Sequence, residues 1–357
     1  MPTSRFAFLV HPRGRLAEDL SRIARPLGLV PEPVYDIALR RLPLPPVTMA
    51  SVQLGGTSVG HVVLVPFGAR HMLAQPAAAR QRVSRAVDHA VRRGAQVVGL
   101  GALTAPVTGG GVSLRGRNDV AVTNGNAFTA AIVHDQVREL LATTEGARVA
   151  VIGATGSVGA TLAQLLVRGR DADRLLLVAR SENRLTALAS RLSGRGTDVM
   201  TATDLRAAQD SDLVVLLTAA VGSVIEPEHL RLGAVVLDAT QPRNTTSGLV
   251  RARPDVTVVD GGIVSVPSLR LRGGNVGLPD GRAYACFAET ALLALSGHTA
   301  SSGHFALGLP TLEQVDQVRE LARRSAHLGF TLGAPTSFGQ PLTLPRFAPP
   351  LLAGAVA

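Results

Sequence analysis

ARVAVIGATGSVGATLAQLLVRG, residues 147–169, sets an apolar run, a glycine-rich turn and a second apolar run in immediate succession. ARVAVI has the character of a buried strand, and ATLAQLLVRG has helical spacing. Gly153, Gly156 and Gly159 lie between them, with Thr155, Ser157 and Val158 filling the turn. Glycines there allow a tight bend, a close approach of backbone to a pyrophosphate and helix-on-strand packing, while the helix N-terminus favours phosphate charge. A plain structural turn would show three glycines as well. The strand before and the helix after are what turn the motif into a dinucleotide-binding signal.

The pattern continues outward. RLLLVAR at 174–180, DLVVLLTAA at 212–220, AVVLDAT at 234–240 and VTVVDGG at 256–262 read as strands, with NRLTALASRL at 183–192 as a helix. Strands alternating with helices imply an α/β Rossmann-type doubly wound parallel sheet. Thr218, at the end of the third strand, joins the candidate cofactor residues. The second strand ends in Arg180 where an acidic residue would accept hydrogen bonds from the ribose hydroxyls of NAD, and Arg184 follows one helical entry later. Arginines there suit a 2′-phosphate, so NADPH is the expected cofactor; the plainer reading of Arg180 is a solvated surface charge.

Before this region, FAFLV at 6–10, HVVLVPF at 61–67 and QVVGLGAL at 96–103 read as strands, and residues 77–93 as a helix, which makes a smaller N-terminal α/β domain. Residues 126–141 have helical spacing and bridge the two. After Ser265 loops are expected around Gly273, Gly274, Pro279 and Gly281, then a helix beginning near Cys286 and another over 312–328. The predicted boundaries are 1–125 for an N-terminal substrate domain, 126–265 for the nucleotide domain, 266–334 for a helical C-terminal segment that carries Cys286 and packs on the N-terminal domain, and 335–357 for a Pro-rich, loosely ordered tail.

Composition narrows the chemistry. The chain has 357 residues, a net charge of +10 and 36 basic side chains, all of them arginine. Without lysine there is no Schiff base, no P-loop lysine and no tyrosine-lysine pair. The arginines are dispersed and aromatic residues make up 3%, which argues against nucleic acid as a partner. No apolar run suits a membrane span and no leader-peptide pattern follows the first strand, so a cytoplasmic location is expected. One cysteine excludes an internal disulfide and a multi-thiolate zinc site, and no cluster has metal-ligand spacing.

That cysteine lies in PDGRAYACFAETALLALSG, residues 279–297. A lone cysteine is commonly a packed core residue. At the start of an apolar helix it is also placed to act as a nucleophile, because the partial positive end favours thiolate. Glu289, three residues on, either orients substrate or caps a helix start. In the turn Thr123, Asn124, Gly125, Asn126, backbone amides and the Asn124 and Asn126 side chains are candidate oxyanion donors, with an ordinary helix cap as the alternative. Thr104 is a weaker candidate, and His11, His61 and His134 are given no catalytic part.

Taken in order, GLGALTA at 99–105, TNGNAFTAA at 123–131, VAVIGATGSVGATLAQLL at 149–166, LLLVAR at 175–180, VVDGGIV at 258–264 and YACFAETALL at 284–293 resemble the aldehyde-forming long-chain acyl-[acyl-carrier-protein] reductases of cyanobacterial alkane synthesis. The resemblance implies an acyl-ACP reductase in which Cys286 takes the acyl group from a thioester before NADPH-dependent reduction. It also implies an acyl carrier protein or acyl-CoA donor and an aldehyde-consuming enzyme downstream; the basic charge favours an acidic carrier. DATQPRN at 238–244 departs from the family, which tends to show a glycine pair, an aromatic residue and a lysine there. Arg243 replaces that lysine's charge but not its chemistry. Two other readings are an NADP-dependent dehydrogenase of the shikimate or saccharopine type, the former relying on a lysine that this chain lacks, and an NADPH-binding sensor without catalysis.

Overall fold

Short apolar runs bounded by glycine and proline turns form seventeen strands in the computed structural model, which describes residues 5–12, 17, 21, 25–42, 44–142, 146–220, 222 and 224–344. In chain order the strands are β1 (Phe6–Val10), β2 (Val47–Leu54), β3 (Thr57–Leu64), β4 (Val97–Leu100), β5 (Ala121–Thr123), β6 (Arg148–Ile152), β7 (Arg174–Val178), β8 (Asp198–Ala202), β9 (Leu213–Leu216), β10 (Val235–Asp238), β11 (Thr257–Asp260), β12 (Ile263–Ser265), β13 (Leu269–Gly273), β14 (Arg282–Tyr284), β15 (Thr331–Leu332), β16 (Thr336–Ser337) and β17 (Gln340–Pro341). The longer helices are α1 (Pro76–Arg92), α2 (Asn126–Leu141), α3 (Ser157–Gly169), α4 (Glu182–Leu192), α5 (Ala285–Leu295) and α6 (Leu312–Arg324). Two units result: residues 1–132 with 262–333, and 133–261 with 334–357.

The first unit is built on a six-stranded sheet of order β13-β2-β3-β1-β4-β5. The strands β3, β1, β4 and β5 are mutually parallel, whereas β2 and β13 add antiparallel to one side. Alternation of side chains divides β1 between two layers. Ala7 and Leu9 enter a core with Val83, Ala86 and Val87 of α1. Phe6 and Phe8 meet Phe287 of α5 edge to face at 5.6 and 5.1 Å, geometry worth roughly 0.5–1.5 kcal/mol per aromatic pair beyond its buried area. The helix that carries Cys286 is thereby fixed to this sheet.

The second unit is a six-stranded, wholly parallel sheet of order β11-β10-β9-β6-β7-β8. Counted from β6, that is the Rossmann order 3-2-1-4-5-6. Val149, Val151, Leu213 and Val215 face one apolar layer with Leu162 and Leu166 of α3; Ala150, Ile152, Val214 and Leu216 face the other. Both faces are covered, which is why these strands are continuous apolar runs in the sequence. The topological switch lies between β6 and β9.

The loops expected around Gly274, Pro279 and Gly281 are found over 274–281, flanked by two strands that the sequence did not mark: β13, which pairs with β2 from Leu269↔Leu54 to Gly273↔Ala50, and β14. Its side chains alternate between buried and exposed at an edge, so the apolar run that marks a central strand is missing. Within the tail, expected to be loosely ordered or draped over a neighbour, residues 336–341 form the β16–β17 hairpin. Asp260 holds it by accepting hydrogen bonds from Thr336 Oγ1 at 2.9 Å, Phe338 N at 3.0 Å and Gly339 N at 2.7 Å. Residues 345–357 of that expected tail lie outside the described residues.

Candidate active site and dinucleotide site

Cys286 is the second residue of α5, after the N-cap Tyr284, and is partly exposed between buried Ala285 and Phe287. Its neighbour Gly125 has φ +73°, and a Cβ on Gly125 would lie 2.2 Å from Cys286 Cβ and 2.4 Å from its Cα. No side chain fits there. The turn before α2 and the start of α5 approach at backbone distance, and only glycine permits it.

The backbone amides of Phe287, Cys286 and Ala102 offset part of the cost of charging the thiol. Ala102, just beyond β4, is a non-glycine residue at φ +48°, a left-handed conformation that costs on the order of 1 kcal/mol or more. Burial first, and then the charge of Glu289, push the thiol up to about 12, while those three amides pull it down. Burial and Glu289 thus oppose the charge that the start of α5 favours.

Glu289 is fully buried. Its carboxylate accepts hydrogen bonds from Thr123 Oγ1 and, at 2.7 Å, from the Phe128 amide. It therefore caps the start of α2 rather than that of its own helix. Burial raises its pKa to about 7, against the pull of Thr123 and of the Phe128, Ala127 and Gly125 amides.

The turn proposed for oxyanion binding has its donors committed. Asn124 spends its side-chain amide on the carbonyls of Gly110 and Gly308, at 3.0 and 2.9 Å, and its Oδ1 accepts the Asn126 amide at 3.0 Å. The Gly125 amide is held by Thr123 Oγ1 at 3.2 Å. Asn124 is thus corrected from oxyanion donor to the residue that pins this loop. Asn126 is half-buried as the first residue of α2. Thr104 is likewise spent, its hydroxyl donating to the Gly101 carbonyl at 2.7 Å. The left-handed turn at Ala102 is what sequence reasoning missed, since a left-handed alanine leaves no mark in composition or spacing.

At the switch point of the second unit, Gly156 caps α3 and Gly153 adopts φ +88°. A Cβ on Gly153 would meet the Leu217 carbonyl oxygen at 2.7 Å, and one on Gly159 would meet the Gly153 carbonyl oxygen at 2.4 Å. The turn hangs from β7, with the Gly153 and Ala154 amides donating to the Val178 carbonyl at 2.8 and 3.1 Å. Arg180 is exposed two residues beyond that carbonyl, and the Arg184 guanidinium donates to the Thr155 carbonyl. Ser157 and Val158 open α3. Thr218 follows β9, donating to Asn244 Oδ1. A helix N-terminus without a side-chain cap, behind a glycine turn, fits a pyrophosphate. Arg243, by contrast, is spent on Asp260 at 2.6 Å and on the face of Phe338.

The model of the semialdehyde dehydrogenase NAD-binding domain matches residues 148–259. With the Rossmann strand order and the glycine turn, this makes the chain an oxidoreductase with a nicotinamide-dinucleotide-binding domain. It is 30% identical over 265 residues to the long-chain acyl-[acyl-carrier-protein] reductase of Synechococcus elongatus, a span of 69% of this chain and 75% of that protein. The chain belongs to that reductase family. It is also 30% identical over 291 residues to the aminotransferase PigE of a Serratia species, covering 78% of this chain but only 33% of PigE. Among solved structures, the nucleotide-binding domain of glutamyl-tRNA reductase from Thermoplasma volcanium is similar at 18% identity and a TM-score of 0.28, covering 36% of this chain and 84% of that one. Among the described residues, no helix is long and apolar enough to cross a membrane.

Proposed function

We propose that this chain reduces an acyl thioester to an aldehyde with NADPH through an acyl group held on Cys286. The observation that carries the reading is the half-exposed thiol of the single cysteine, Cys286, at the N-terminal end of α5, with the Gly125 turn approaching it at backbone distance. Sγ attacks the thioester carbonyl, the carbon-sulfur bond to the carrier breaks, and the thiol proton leaves with the carrier thiolate. Backbone amides at the start of α5 would stabilise the negative oxygen that develops on that carbonyl, work for which one lost donor typically costs about 10²–10³ in rate. NADPH, when bound at the glycine turn, supplies the hydride. Collapse of the Cys286 hemithioacetal then releases aldehyde and regenerates the thiol, so that thioester, NADPH and a proton give aldehyde, NADP⁺ and free carrier thiol.

Arg180 and Arg184 bind the 2′-phosphate in this reading, and the donor is an acidic acyl carrier protein, with coenzyme A as the alternative carrier. NADPH oxidation with acyl-carrier-protein and acyl-CoA substrates, the aldehyde trapped as a hydrazone, tests it. Stoichiometric aldehyde is expected; turnover without aldehyde, or no turnover with any thioester, would overturn it.

A further inference from the structure

Thr123 is the last residue of β5 and is fully buried. Its hydroxyl is used in both senses, donating to Glu289 Oε1 and accepting the Gly125 amide at 3.2 Å. The peptide between Asn124 and Gly125 is thereby tied, through one hydroxyl, to the carboxylate that stands three residues beyond Cys286 on α5. Asn124 is pinned by its own side chain, and what directs the Gly125 N–H is Thr123. The peptide after Gly125 is held separately: its carbonyl accepts from Thr129 Oγ1 at 2.8 Å, and its N–H, that of Asn126, donates to Asn124 Oδ1 at 3.0 Å.

The helix does not depend on this turn for its place. Phe287 packs on Phe6 and Phe8, and Thr290 Oγ1 fills the space beside Gly99, where a Cβ would lie 1.9 Å from it. Gly99 is itself paired with Thr123 across β4 and β5. The turn is therefore the side free to move. It comes so close to the helix that a Cβ on Gly125 would lie 2.2 Å from Cys286 Cβ and 2.9 Å from the Cys286 carbonyl oxygen. Backbone packed against a Cβ removes side-chain rotamers, and so confines Sγ to fewer directions.

We infer that Thr123 is a positioning residue for the Cys286 site: its hydroxyl couples the Gly125 turn to Glu289 and keeps that turn seated as a backstop against the nucleophile. Without the hydroxyl, the Gly125 amide loses its acceptor and Glu289 loses a donor. The turn shifts and Sγ gains orientations. A reaction that needs the sulfur aligned on a bound thioester is slowed by that freedom, whereas one that needs only access is helped.

The test compares Thr123→Val, which keeps the branched shape and removes the hydroxyl, with Thr123→Ser, which retains it. The catalytic part rests on the acyl-thioester reading above, whereas iodoacetamide alkylation of Cys286 reads the thiol without it. Thr123→Val is expected to lower kcat by about tenfold or more with KM within about twofold, and to speed alkylation several-fold. Thr123→Ser is expected to stay close to the wild type in both. If Thr123→Val does not fold, the smaller Thr123→Ala is expected to move kcat and alkylation in the same two directions. Alkylation that is unchanged or slower in the folded hydroxyl-free variant, an unchanged kcat for thioester reduction, or a Thr123→Ser no better than Thr123→Val would overturn the inference. Faster alkylation in Thr123→Val, restored by Thr123→Ser, in a protein that reduces no thioester would uphold the positioning role and sink the proposed activity instead.

Discussion

Gly125 and Glu289 constrain Cys286 from two sides, and each constraint predicts a measurable effect. Gly125→Ala sets a methyl group 2.2 Å from Cys286 Cβ at a backbone angle alanine resists, so either the turn or the start of α5 must move. A loss of about 2 kcal/mol or more in urea unfolding, together with a large drop in activity, is expected. Glu289→Gln acts in the opposite sense on the thiol. It removes the negative charge that adds to burial in holding Cys286 up, and the thiolate becomes easier to form. The oxygen of the substituted carboxamide still accepts the Phe128 amide, so the cap on α2 survives the change. Alkylation of Cys286 at pH 8 should be several-fold faster than in the wild type; an unchanged or slower rate would show that the carboxylate does not bear on the sulfur.

Among the elements, strands buried along their length were legible in the sequence and exposed edge strands were not. The strands β6, β7, β9, β10 and β11 announce themselves as continuous apolar runs, and the glycine turn is confirmed by the carbonyls that a Cβ at Gly153 or Gly159 would strike. β8 is a largely exposed edge strand, DVMTA, with no apolar run to mark it. The β2–β3 hairpin was missed although Gly55-Gly56, both at positive φ, marks it by a rule that reads directly from sequence. At the site, Cys286, Glu289 and the turn at 123–126 were identified as neighbours. Their roles were not, because hydrogen-bond partners such as Gly110 and Gly308 for Asn124 come from segments far apart in the chain. For the nucleotide turn, Gly159→Ala should weaken NADPH binding by about tenfold or more in a fluorescence titration, through displacement of α3 from the turn. Arg180→Ala should weaken NADPH but not NADH; equal losses for both would remove Arg180 from the 2′-phosphate.

The buried carboxyl also has a consequence for the stability of the whole molecule. Glu289 titrates at about 7 in the folded chain and at about 4.3 when unfolded. Between those values the unfolded state has released a proton that the folded state retains, so this group's contribution falls as pH rises and levels off above about 7. Urea midpoints at pH 5 and 8 should differ more for the wild type than for Glu289→Gln. In the proposed reaction the net charge of +10 would act at longer range, steering an acidic carrier toward the chain. With a Debye length of about 10 Å at 0.1 M salt, kcat/KM for a carrier-bound thioester should fall as salt rises, while that for a small uncharged thioester should not.

Intact-protein mass spectrometry after incubation with acyl-carrier-protein in the absence of NADPH tests the central claim most directly. The wild-type chain should gain the mass of one acyl group on Cys286, Cys286→Ala should gain nothing, and added NADPH should discharge the adduct as aldehyde. An absent adduct, one that persists in Cys286→Ala, or one that NADPH leaves in place would contradict the acyl-enzyme account.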